Sequence, residues 1–549
     1  MNRIGAHPAP TNRRLAAAPV ALIALAALVM PAGGCSPDDR HIGWERERVV
    51  LGPLALKHSV AYIDSARDRA ITVDISDDRP RAYTHGIGRR AIYATSTPDR
   101  ERLAVITRGE EALRQGQIDQ DPQLWLIDAQ SPDSEPVSYD IGSPFDRLAI
   151  AADGHVAVAY FSDSGPDDEG FFRNPNELAV IDLSRPPADD NPVLKTVRSF
   201  GSAPDGVVLS PPMVIPGSPD PTPRTFAFVL APNNVTVLDT TYPDRREVSI
   251  RLDLGGATVR PRELVFAPNT ATAYLRSDNA NDVLEILISD DPPLDGDTND
   301  NDYRPALAEL GAGAGPADIA VYDDIAGRRL ILAATPGTRE LVVIDADTAQ
   351  FRIVATPDPV DRIMLFPQGE GLVPRLALLA SISAPLSRLQ VLRLDDITDE
   401  LVGIDLNQVT VDQPIRDVVA VPGGERAMLV HDDERTVLGL LDVAIGSVSP
   451  LQGVGQLDSY DFSPDGSFLI GATSGVERVG FVELGNLHPS DLTLDDTPHR
   501  IFAMPDGAIY IDHGDPFGRA TIVQSPGAAR SESIVLTGFL LADLFTQEF

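Results

Sequence analysis

A unit of 41 to 59 residues recurs along this chain, and a period of that size restricts the fold more than any other feature. Each copy begins with a short apolar strand running into a turn. These openings are DRLAIAADG at 146–154, RELVFAPN at 262–269, DRIMLFPQG at 361–369, RDVVAVPGG at 416–424, DSYDFSPDG at 458–466 and HRIFAMPDG at 499–507, with looser copies starting near Arg89, Asp205 and Ala317. Proline presets φ for a turn while glycine and asparagine tolerate positive φ, so PDG or PGG between two apolar runs marks a hairpin. Second strands follow at once, as in HVAVAYF, SFLIGAT and AIYIDH. Third strands end in an acid: LWLID at Asp128, LAVID at Asp182, VTVLD at Asp239, LVVID at Asp345, LGLLD at Asp442 and VGFVE at Glu483. An aspartate leaving a strand can accept bonds from backbone amides two residues on and so start the next turn, a structural role that suits an acid repeated in every unit.

No long stretch keeps a helical period, so the expected class is all-β. The starts at 89, 146, 205, 262, 317, 361, 416, 458 and 499 are spaced as four-stranded propeller blades are. With SPDG at 463–466 and the VID endings, residues 47–545 resemble bacterial β-propellers of the broad WD-repeat, YVTN and TolB-like kind. The resemblance implies a single large all-β propeller over residues 47–549, of about eight four-stranded blades within a range of seven to ten. Pieces at 48–75 (RVVLG, SVAYID, AITVDI) either complete the last blade by pairing the chain ends or form most of a blade themselves. Two smaller propellers in tandem are the alternative architecture.

The chain opens with Arg3, Arg13 and Arg14, then the apolar run 15–30, then Ala32, Gly33, Gly34 and the chain's single cysteine, Cys35. A charged segment, an apolar core and small residues before a cut is the order of a signal peptide. The run is 16 residues and interrupted by Pro19, short of the roughly 20 that span a bilayer as a helix. This segment resembles a bacterial lipoprotein signal, although Ala32 stands where such signals most often carry leucine. The resemblance implies a signal peptide over 1–34, lipid on the Cys35 thiol, and a polar tether over 35–46. It also implies a place in the cell envelope, with Ser36 rather than an aspartate after the cysteine favouring the outer membrane over the inner.

The formal net charge is −36. Residues 1–34 hold three arginines and no acids, so without them 42 basic face 81 acidic side chains, a net of −39. Phosphate neutralisation needs the opposite sign, which argues against nucleic acid as a partner. The expected partners are the membrane, through lipid on Cys35, and an envelope protein, peptide or glycan.

Long loops on a rigid scaffold are where binding residues concentrate. If the innermost strand comes first, the loops at 108–121 and 162–176 extend one face, and the insertions at 211–224 and 290–303 the other. Phe171 and Phe172, adjacent aromatics in an acidic loop, are candidate binding residues. Asp295, Asp297, Asn299 and Asn301 alternate oxygen ligands as a calcium loop begins, but Asp300 stands where such a loop needs glycine and Ala306 where it needs glutamate. Calcium is the one cofactor the sequence suggests, and no metal site is assigned. A solvated acidic turn explains the run as well.

Catalytic motifs are sparse. There is no HxxxH pair, no GxSxG elbow and no phosphate-cradling glycine loop. His431, beside Asp432, Asp433 and Glu434, and His513, near Asp512 and Asp515, are the histidines crowded by carboxylates. No catalytic residue is assigned. The sequence favours a binding or scaffold module over an enzyme. The alternative is a propeller enzyme of the lactonase or dehydrogenase kind using a divalent cation at the central channel.

Overall fold

The computed structural model describes residues 49–544, apart from 78, 111–118, 163–173, 189–191, 198–202, 253–257, 292–302, 370, 432–437, 453–456, 474 and 529. Cys35, Phe171, Phe172, Asp295, Asp297, Asn299 and Asn301 all lie outside the described residues. Strands dominate. Helical structure among the described residues is limited to short 3-10 turns such as Leu394–Asp396 and Phe539–Leu544, and no helix there is long and apolar enough to cross a membrane.

Among the described residues, forty strands form ten four-stranded antiparallel sheets, each built from four consecutive strands. These are ten blades, at 50–86, 91–140, 147–197, 206–251, 260–311, 318–355, 362–410, 415–451, 459–493 and 500–537. All nine starts recognised in the sequence open a blade. The count is at the upper end of the expected range, because the pieces at 48–75 are the first three strands of a blade of their own, completed by Arg81–Gly86.

Period-two alternation explains how the blades assemble. In blade 2, Leu103 and Val105 pack against blade 1, while Ala104 and Ile106 pack against blade 3. Blade 6 repeats this: Ile331 and Ala333 face blade 5, Leu330 and Leu332 face blade 7. Both faces of a blade are therefore apolar, and its strands read as near-continuous hydrophobic runs. Ten buried clusters result, one at each junction between consecutive blades, and the tenth joins Val60, Tyr62, Ile71 and Val73 of blade 1 to Met504, Tyr510, Ala520 and Ile522 of blade 10. The molecule is a single closed ring, not two tandem propellers.

Closure uses packing instead of a shared sheet. After the last strand the chain folds back over the seam, placing Phe539 against Tyr62 with ring centroids 5.2 Å apart. The buried Arg69 guanidinium donates to the Leu540 carbonyl at 2.6 Å. Elsewhere arginines at the start of second strands bridge blades. Arg102 reaches the Gly154 and Leu183 carbonyls of blade 3, and Arg426 donates to the Leu484 carbonyl at 2.9 Å and the Gly466 carbonyl at 3.4 Å in blade 9.

The repeated acids close turns. Asp128, Asp182 and Asp239 accept from the amides of Gln130, Ser184 and Thr241, two residues on, at 2.8 to 3.0 Å. Asp345 and Asp442 accept three residues on, from Thr348 and Ile445. In the SPDG turn Gly466 sits at φ +66°, and a Cβ there would lie 2.1 Å from the Pro422 carbonyl oxygen of blade 8. Only glycine fits.

Candidate functional site at the channel mouth

The innermost strand of each blade follows the connection from the previous blade, so its first residues surround one mouth of the central channel. Several of those residues are arginines. Arg362 and Arg500 open the innermost strands of blades 7 and 10, and Arg416 is the second residue of that strand in blade 8. A shift of register between Ile415 and Asp417 makes Arg416 the extra residue of a bulge, a device that re-aims a side chain at a sheet edge. All three are exposed and form no ion pair within 4 Å among the described residues, although the charge of Arg362 acts on the nearby Asp318 carboxyl and lowers its pKa.

The acids of the same strands are engaged differently. Asp361 accepts from the amides of Ile382 at 2.7 Å and Ser383 at 2.8 Å. Asp461 reaches across blades to the Ala503 amide at 2.9 Å, and Asp318 to the Ile363 amide at 2.6 Å. Burial raises the Asp461 carboxyl above its usual range, and it pushes Asp318 up to about 6, against the lowering effect of the Ile363 amide bond. These carboxylates fix neighbouring blades to one another. Elsewhere at this mouth charges pair: Arg260 with Asp205 and Arg262 with Asp278.

Between the innermost strands of blades 9 and 10 lies a cavity of about 490 Å³, lined by Asp458, Ser459, Tyr460, Pro498, His499, Arg500, Ile501 and Phe502. His499 is more than half exposed, and its Nδ1 lies 3.2 Å from Oδ2 of the buried Asp512. The other carboxylate oxygen accepts from Tyr62 Oη at 2.7 Å, and Tyr62 Oη is 2.9 Å from Tyr510 Oη. Burial raises both tyrosine hydroxyls well above their usual pKa, so at neutral pH both are protonated donors. The Gly514 amide also donates to Asp512, at 3.1 Å. A solvent-facing imidazole is thus held by a buried carboxylate whose position is set by residues on both sides of the ring's seam.

His513, one of the two histidines crowded by carboxylates in the sequence, is placed differently. That ring is buried, its Nδ1 3.0 Å from the Thr497 carbonyl and its Nε2 2.8 Å from Thr521 Oγ1. A carbonyl only accepts, so Nδ1 donates and both ring nitrogens are spent within the blade. His431 is also buried, with Nδ1 3.3 Å from the Pro414 carbonyl, while Asp432, Asp433 and Glu434 lie outside the described residues. Among the described residues, no three histidine, cysteine, aspartate or glutamate side chains gather to hold a metal ion.

Of the long loops, 211–224 is described and extends the opposite face, as expected. Met213 and Arg224 pair there, and the buried Arg224 guanidinium lies over the Tyr242 ring at 5.2 Å, which Arg245 also covers at 4.1 Å. Asp239 lies 3.6 Å from Arg224 and 3.4 Å from Arg245. This cluster ties the insertion to its blade.

Strand order, blade junctions and channel mouth together define a ten-bladed β-propeller with unpaired arginines at one entrance. No sequence-family description matches the chain, and no curated protein is significantly similar to it in sequence. Among solved structures it is similar to a dihydro-heme d1 dehydrogenase, NirN, in complex with DHE: TM-score 0.36, 10% identity, covering 88% of this chain and 74% of that one. At that level of likeness no property of that enzyme transfers.

Proposed function

We propose that the protein is an envelope lipoprotein: residues 1–34 are a signal peptide, Cys35 carries the lipid, residues 35–46 are a tether, and the propeller beyond is a binding module. Its ligand is a component of the envelope, a protein, peptide or glycan, engaged at the channel mouth. The observation that carries the binding reading is the group of exposed, unpaired Arg362, Arg416 and Arg500 in a chain of net charge −36. Acidic proteins have partners to spare for arginine, and an unpaired guanidinium keeps its planar fork of donors free for a ligand. Capture from detergent-solubilised envelope tests it. The wild-type protein retains a partner that the triple variant R362Q/R416Q/R500Q does not, and equal retention by both refutes a ligand at this mouth.

The His499–Asp512 pair supports a second reading, a hydrolytic enzyme. With Nδ1 engaged by Asp512, Nε2 is the nitrogen left to accept a proton from water or a substrate hydroxyl. A lactone- and ester-hydrolysis screen of wild type against His499→Asn decides it. Turnover lost in the variant supports the enzyme, and no turnover removes it.

A further inference from the structure

We propose that the channel mouth along blades 7 to 10 binds a carboxylate-bearing oligosaccharide, a chain of sugar acids; this deepens the binding reading above and rests on it. Four consecutive blades contribute. Arg362, Arg416 and Arg500 come from blades 7, 8 and 10, and the cavity between blades 9 and 10 lies in the same arc with Arg500 in its wall.

Charge argues for a multiply anionic ligand. Asp361 and Asp461 are held by amides of neighbouring residues, and Asp417 by the Val418 amide at 2.9 Å, so the acids shape the mouth while the guanidiniums remain open. A guanidinium matches a carboxylate with two parallel bonds, which gives orientation as well as attraction. Several such forks on adjacent blades suit a ligand that repeats its carboxylate.

The cavity argues for sugar rings. Tyr460 and Phe502, both half-buried, supply aromatic surface in its wall; the Ser459 hydroxyl, which accepts from the Ile501 amide at 3.0 Å and keeps its own hydrogen to donate, and His499 Nε2 supply polar groups for hydroxyls. At about 490 Å³ it falls within the range of small-molecule sites, large enough for a sugar unit but not for a folded partner. An acidic peptide would satisfy the arginines without using the aromatic faces. Nucleic acid is disfavoured by the charge of the whole chain.

Titration calorimetry of the full mature protein tests this with three probes: galacturonic acid trimer, galactose trimer and triglutamate. The galacturonic acid trimer binds, with affinity falling as salt rises; the galactose trimer does not; triglutamate binds at least about tenfold more weakly. Arg500→Gln lowers affinity for the galacturonic acid trimer about tenfold or more, and Arg362→Gln and Arg416→Gln about threefold each. Phe502→Leu keeps the apolar volume but loses the ring face, and weakens that trimer while leaving triglutamate unchanged. Unchanged urea midpoints show that the variants are folded. No binding of the galacturonic acid trimer, equal binding of triglutamate, or wild-type affinity in Arg500→Gln overturns the sugar-acid assignment. If envelope capture is still lost in the triple arginine variant, the binding reading survives that result and only the ligand class is wrong.

Discussion

Truncating Phe539 to alanine tests how the ring is closed. The side chain is 7% exposed, packs on Tyr62 of blade 1, and belongs to the cluster that includes Met504, Tyr510, Ala520 and Ile522 of blade 10. Removing a buried phenylalanine costs about 3–5 kcal/mol, the sum of lost transfer energy and the cavity left behind. Blades 1 and 10 share no strand among the described residues, so the seam rests on the apolar cluster to which Phe539 belongs, the Arg69 bond to Leu540 and the hydrogen-bond chain from Tyr510 through Tyr62 to Asp512. Urea unfolding followed by circular dichroism therefore shows a loss in that range, and hydrogen exchange rises first in blades 1 and 10. Phe351→Ala serves as the control: that ring is 54% exposed on an outermost strand, so its loss costs within about 0.5 kcal/mol. A cost below about 1 kcal/mol for Phe539→Ala, or exchange rising evenly around the ring, refutes closure by packing at this junction.

Other outcomes follow from the same contacts. Asp318 is raised from 3.8 to about 6, so its protonated form favours the fold; the contribution is fully present below about pH 4 and is lost as pH rises through about 6, a swing of about 3 kcal/mol that Asp318→Asn removes from the pH–stability curve. A curve unchanged by the substitution contradicts that assignment. Gly466→Ala destabilises by about 2 kcal/mol or more in urea unfolding, since its Cβ would meet the Pro422 carbonyl and φ is positive. On the lipoprotein reading proposed above, which rests on the sequence and not on these contacts, Cys35→Ser moves the protein from the membrane pellet to the soluble fraction, and mass spectrometry of the wild type finds residues 1–34 removed and lipid on Cys35. An unmodified thiol removes the anchor.

Much of the architecture is legible in the sequence because inner strands and their turns have strong local chemistry. Proline and glycine in PDG and PGG, and an acid closing each third strand, recur because every blade solves the same turn problem. Fourth strands are less visible. Gln350–Ala355 is exposed at nearly every position, so neither an apolar run nor alternation marks it. Blade 1 is hidden for a related reason: its first turn, LALKHS, lacks the proline and glycine of the others, and its fourth strand Arg81–Gly86 is polar. Without fourth strands, a complete blade at the start of the chain looks the same as strands shared with the end.

The site was less legible. Asp512 lies next to His513 in sequence, yet it pairs with His499, because the antiparallel register places Arg500 opposite Asp512 and brings the preceding residue to its carboxylate. That is information about strand pairing, not neighbours. The arginines were visible only as blade openings such as DR and HR. That they share one mouth follows from the circular order of the blades, and that they form no close ion pair follows from the acids beside them being taken by backbone amides.

Electron microscopy of the purified protein viewed down the channel decides whether ten blades close into one ring. Class averages show ten radial densities around an unbroken ring. Any other number, two smaller rings, or a gap between the first and last blades would contradict that closure.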